Sequence, residues 1–128
     1  MSRTKVFRHI FKFHGFFNSL KLALNGIGYL FLYHRNMRII FMSGVTAFLL
    51  GIYLQLRGME LVILCIAITL VFMAEMFNTA IELMIDMITG KYRTLIKLVK
   101  DISAAVVLIA SLNAIAVGYF LFVKKIFR

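Results

Sequence analysis

The chain is expected to be an all-α membrane protein, with an N-terminal amphipathic surface helix followed by three transmembrane helices in a bundle. Three observations lead there. Hydrophobic residues make up 62% of the 128 positions, with no proline or tryptophan, and the mean hydropathy is +0.95. That is too oily for a soluble domain of this size. Apolar runs reach the roughly 20 residues needed to cross a bilayer core. The cations flank those runs. By length, residues 1–128 form a single domain.

Residues 1–36 interleave Arg3, Lys5, Arg8, Lys12 and Lys21 with Phe7, Phe11, Phe13, Phe16 and Phe17. Charge and aromatic rings at this density describe a helix lying in the membrane interface, its cations turned to phosphates. Gly26 and Gly28 weaken its helical tendency, and a span from Leu20 to Tyr33 would be short and interrupted. The first span is expected over residues 37–57, around the apolar stretch Ile39 to Leu56. The turn Gln55-Leu56-Arg57-Gly58 is very short, so the first span and the second, over 59–88, make an antiparallel hairpin. Gly90 breaks the second helix, and Lys91, Arg93, Lys97 and Lys100 gather in a loop. The third span, over 100–123, carries small residues from Ser103 to Gly118 that suit close helix packing.

The net charge is +10. With its cations beside hydrophobic spans and no nucleic-acid module, the chain is matched to anionic lipid headgroups rather than to nucleic acid. The basic N-terminal segment and the 91–100 stretch fall on one side of the membrane, which the positive-inside rule makes cytoplasmic. Lys124, Lys125 and Arg128 run against that rule. Cys65 stands alone, which excludes an intrachain disulfide. The basic start leads into aromatic residues without a small-residue cleavage site, so no secretory signal is expected.

The chain is organised around Met59 to Met87. Its first half is uninterrupted apolar sequence, and its second half carries Glu75, Asn78, Glu82 and Asp86. At 100° per residue, with Glu75 at 0°, the others fall near 300°, 340° and 20°, a stripe roughly 80° wide and about 16 Å long. Thr79 flanks it. Carboxylates in a membrane-length helix are costly and mark a site by default. Three helices offer little interior to hide aligned acids, so the chain is expected to oligomerise. Magnesium takes oxygen ligands, commonly one or two carboxylates plus substrate phosphates. A further carboxylate can accept a proton from a hydroxyl, and Lys91, Arg93 and Lys100 can neutralise phosphate charge. No glycine-rich phosphate loop is present. Spacing alone therefore leaves a metal–polyphosphate site and a proton-coupled transporter both open.

The element Glu75-Met-Phe-Asn78-Thr-Ala-Ile-Glu82, with Asp86 beyond it and Lys100-Asp101 farther on, resembles the signature of the prokaryotic diacylglycerol kinase and undecaprenol kinase family. SLKLALNGI before the first span and RNM at its entry fit the same pattern, so the resemblance covers about Phe17 to Val123. It implies a homotrimeric helical bundle in the bacterial cytoplasmic membrane, multi-pass, that phosphorylates the hydroxyl of a membrane lipid alcohol. ATP would be the co-substrate and magnesium the metal, with manganese as the alternative. Carried over, Glu75 would be the general base on the lipid substrate, and Asn78 would orient groups at the reacting centre. Glu82 would bind metal and nucleotide. Lys100 and Asp101 would engage the nucleotide, and Tyr92 its base or ribose. The residue pattern favours undecaprenol, with diacylglycerol next.

Two positions depart from the family. His34 stands where a metal-binding glutamate is usual, and Ile40 where a histidine is. His34 thus matches a metal position with an imidazole, a poor magnesium ligand better suited to manganese, zinc or iron. That motivates a rival reading, a kinase-like protein with lost or altered activity acting as a lipid-binding or partner subunit. Arg93 would partly offset the change by gripping phosphate. The transporter reading is disfavoured by three spans without an internal repeat. Elsewhere, His9 and His14 are spaced wrongly for one helical face. Ser103 reads as helix packing, and Met73, Met76, Met84 and Met87 as apolar filler.

Overall fold

A computed structural model describes residues 3–88 and 93–127, with side chains for 15–88 and 93–127. Gly90, Lys91 and Tyr92 lie outside the described residues, as do the side chains of His9 and His14. The described residues are helical with short turns, as the composition requires. The helices are α1 (Arg3–Tyr33), α2 (Arg35–Tyr53), α3 (Met59–Asp86) and α4 (Arg93–Gly118). A π-turn over Tyr119–Val123 joins α4 to the short α5 (Lys124–Ile126). Three helical stretches are long and apolar enough to cross a membrane: Arg35–Tyr53, Met59–Asp86 and Arg93–Ile126. The chain is a multi-pass membrane protein.

Two units divide the chain, Met1–Arg35 and Asn36–Arg128. In the first, α1 runs unbroken through Gly26 and Gly28, where an added Cβ would meet nothing within 4 Å. Good helix formers on either side outweigh the two glycines. At its end Tyr29 stacks near Tyr33 and His34, with ring centroids 4.9 and 5.8 Å away. The His34 N–H still donates to the Leu30 carbonyl, at 2.9 Å.

In the second unit α2 ends in a Schellman turn. Leu56 N–H bonds the Gly51 carbonyl at 2.9 Å, and Gln55 N–H bonds that of Ile52 at 3.0 Å. Gln55 takes the left-handed position, at φ 63°, usually left to glycine. The buried Leu56 folds back over Gly51. Gly58, at φ 59°, then launches α3.

Helices α2 and α3 run antiparallel along one seam. A Cβ on Gly51 would come within 2.8 Å of Leu64, and one on Gly44 within 2.8 Å of Ile68 Cγ2. Phe41 and Phe72 meet at 6.1 Å between centroids, and Asn36 meets Glu75. Glycine is needed at 44 because a β-branched isoleucine sits against it. Gly44→Ala is expected to cost about 1–3 kcal/mol by overpacking, read as a lower thermal midpoint in detergent. Gly26→Ala, where the space is open, is the control and should not destabilise.

Helix α4 packs antiparallel to α3. It starts at Arg93, ahead of residue 100, so Arg93, Lys97 and Lys100 sit on helix rather than in a loop. After Gly90 nothing in RTLIKLVK breaks a helix, and its leucines, lysines and arginine favour one. At the far end Lys125 Nζ lies 3.5 Å from Glu60 Oε2 and 3.4 Å from the Gln55 carbonyl oxygen, tying the end of the chain to the hairpin turn. Of the small residues on α4, Ser103 is the buried one. Along the rest of α4, half-buried positions such as Val107, Ala110, Ser111 and Ala114 alternate with exposed ones.

Candidate functional site

The acidic stripe on α3 continues the seam that packs against α2. Leu64, Ile68, Phe72, Glu75 and Thr79 follow one another at helical spacings of three and four. Helix α2 begins at Arg35, opposite Glu75, so the stripe beyond this point has no α2 partner. Glu75 is accordingly buried, at 5% exposure, whereas Glu82 and Asp86 are exposed.

Glu75 Oε1 accepts a hydrogen bond from Asn36 Nδ2, at 2.9 Å. Its main-chain carbonyl accepts from Thr79 Oγ1, also at 2.9 Å, with Thr79 at 3% exposure. No second partner for the carboxylate is present among the described residues. Asn36→Ala removes the donor and strands Oε1. The expected cost is about 1–3 kcal/mol, measured as a lower thermal midpoint.

On the other flank Asn78 Oδ1 accepts from Ser103 Oγ, at 2.8 Å. Ser103 is therefore not mere packing, as its small size implied, but a partner of the polar stripe. Sequence inspection also missed Asn36. The signal for both was available only through register: pairing α2 with α3 puts Asn36 opposite Glu75, and pairing α3 with α4 puts Ser103 opposite Asn78.

The same antiparallel register sets Lys100 and Asp101 level with the turn of α3 running from Asn78 to Glu82. Around α4, Lys100 lies about 60° from Ser103 and so shares the face toward α3, while Asp101 lies about 160° away and faces outward. Helical phase thus puts Glu75, Asn78 and Glu82 on one face of α3 and Lys100 on the Ser103 face of α4, with Asp101 turned from it. Glu82, Asp86, Lys100 and Asp101 make no hydrogen bond or ion pair among the described residues. Tyr92 lies outside them, and His34 belongs to the other unit. No group of three or more His, Cys, Asp or Glu side chains that could hold a metal ion is formed among the described residues.

Charge at this end of the bundle opposes the helix dipoles. Glu82 and Asp86 crowd the C-terminal, negative end of α3, whose last turn has no basic residue. Arg93 and Lys97 crowd the N-terminal, positive end of α4, whose first turn has no acidic one. Each mismatch costs about 0.3–1 kcal/mol. Acids thus gather at the end of α3 and bases at the start of α4.

Comparison with known proteins identifies the family. The family described as prokaryotic diacylglycerol kinase matches residues 21–122. A diacylglycerol kinase of Synechocystis is 35% identical over 101 residues, which are 78% of this chain and 58% of that protein. The chain thus spans less than two thirds of that relative. An undecaprenol kinase of Bacillus subtilis is 30% identical over 111 residues, 87% of this chain and 90% of that protein. The matched region contains the whole polar stripe of α3 and its partners Asn36 and Ser103. The chain belongs to the prokaryotic diacylglycerol kinase family.

Proposed function

We propose that the protein transfers the γ-phosphoryl group of ATP to the hydroxyl of a membrane lipid alcohol, at the cytoplasmic face of a bacterial inner membrane. The observation that carries this reading is Glu75, a buried carboxylate in a membrane-length helix with one oxygen held by Asn36. Its free Oε2 takes the proton of the lipid hydroxyl as that oxygen attacks the γ-phosphorus. The new P–O bond forms on the lipid, the bond to the bridging oxygen breaks, and ADP leaves. Asn78, Lys100 and residues near α4's N-terminus orient the phosphates and offset their charge. Positioning and charge stabilisation are what this chemistry demands.

Glu82 and Asp86 suit magnesium or manganese, being oxygen donors, exposed and unpartnered among the described residues. Glu82 is the proposed ligand, shared with nucleotide phosphates. Magnesium, when bound, would neutralise charge on the β- and γ-phosphates. Oxygen donors suit both metals, so both belong in the assay. Tyr92 and Asp101 are the remaining proposed nucleotide contacts. Asp101 faces outward and would act on a neighbouring copy.

A homotrimer is the proposed assembly. Exposed carboxylates would be costly against lipid, and neighbouring copies would cover them. Helix α1, with exposed Phe16 and Phe17 beside Lys21, is proposed to lie along the interface. Undecaprenol is the favoured acceptor, supported by the length shared with the Bacillus subtilis protein. Diacylglycerol comes next. Neither the transporter nor the inactive kinase-like reading gains support from relatives named as kinases.

The test is transfer from labelled ATP to undecaprenol and to diacylglycerol in mixed micelles, with magnesium or manganese. Labelled undecaprenyl phosphate is the expected product. Absence of transfer to any lipid alcohol with either metal would overturn the assignment.

A further inference from the structure

We infer that Ser103 is a positioning residue that locks the Asn78 amide with its N–H groups aimed at the phosphoryl group in transit. This rests on the lipid-kinase reading above. A serine or threonine hydroxyl in an apolar helix normally spends its proton on its own backbone, four residues back. Four residues here do so: Ser43 on Ile39, Thr46 on Met42, Thr69 on Cys65 and Thr79 on Glu75. Ser103 does not. Its Oγ reaches across to α3 and donates to Asn78 Oδ1 at 2.8 Å, and the residue is buried to 2% exposure.

The consequence lies in the amide. Its two ends are nearly the same size but opposite in hydrogen-bonding character, and here the Ser103 proton takes the accepting end. With Oδ1 held by Ser103, Nδ2 and both its hydrogens remain. No acceptor takes them among the described residues. Asn78 stands three residues after Glu75 and four before Glu82, between the proposed base and the proposed metal carboxylate. A phosphoryl group passing from metal-bound ATP to a hydroxyl at Glu75 crosses that interval, and its oxygens are the acceptors the amide lacks. Turned the other way, the amide would present a carbonyl oxygen to an anion and oppose the reaction.

The experiment uses the full chain in mixed micelles with ATP and the best lipid acceptor. Ser103→Ala is expected to lower kcat about tenfold, the value of one hydrogen bond of about 1.4 kcal/mol, with KM for ATP and lipid unchanged. Ser103→Thr restores the hydroxyl and should recover most of the rate. Ser103→Cys, similar in volume with a weaker donor, should fall between Ser and Ala and serves if the extra methyl of threonine disturbs assembly. In an Asn78→Ala background, Ser103→Ala should add no further loss, because the two act as one unit. Wild-type kcat in Ser103→Ala, or losses that multiply with Asn78→Ala, would overturn the inference and leave the kinase reading intact. A wild-type protein inactive toward every lipid alcohol would remove both.

Discussion

Glu75→Gln is expected to cut phosphoryl transfer by about 10²–10⁴-fold, the usual worth of a positioned general base, while the protein stays folded. Glutamine keeps the volume, and its carbonyl oxygen can accept from Asn36 as Glu75 Oε1 does at 2.9 Å. It also removes a buried charge, so no folding penalty should accompany the loss. What disappears is the oxygen proposed to take the hydroxyl proton. The loss should therefore fall on kcat, with KM for ATP nearly unchanged, since the carboxylate is proposed to act on the acceptor rather than the nucleotide. Circular dichroism and the elution volume in detergent should match the parent protein. A variant that retained parental kcat would remove Glu75 from the reaction and leave its burial purely structural.

Glu82→Gln should act differently. Its carboxylate is exposed and unpaired among the described residues, so little stability is at stake. The expected effect is a fall of at least 10–100-fold in kcat/KM for ATP, the range seen when even an outer partner of a metal site is lost. Raising free magnesium or manganese should recover part of it, because the weakened ligand set still binds metal at higher concentration. Glu75→Gln should show no such recovery. Titrating each variant with both metals separates the two roles. A Glu82→Gln protein with unaltered metal dependence would assign the metal to other side chains.

These two outcomes differ although both residues are acids on the same face of one helix, seven positions apart. Helical period and composition were enough to see that face, to expect membrane-length helices, and to tie the first two into a hairpin through a four-residue turn. They work because hydrocarbon forces backbone groups into helices and makes each acid conspicuous. The ExxNTAIE element added the chemistry, since it fixes residue type as well as spacing.

Burial and partnership were beyond that reach. Glu75 is enclosed and Glu82 open because α2 happens to begin opposite one and short of the other, a matter of where two helices align. Asn36 and Ser103 carry no motif of their own, and each matters only through the residue it meets 39 or 25 positions away in sequence. Lys100 and Asp101, adjacent in the chain, part company by the 100° step between consecutive helical residues. A periodic pattern reports which face of its own helix a side chain occupies. Which neighbour stands across from that face is set by packing between helices, where small residues such as Gly44 and Gly51 decide how closely and in what register the helices lie.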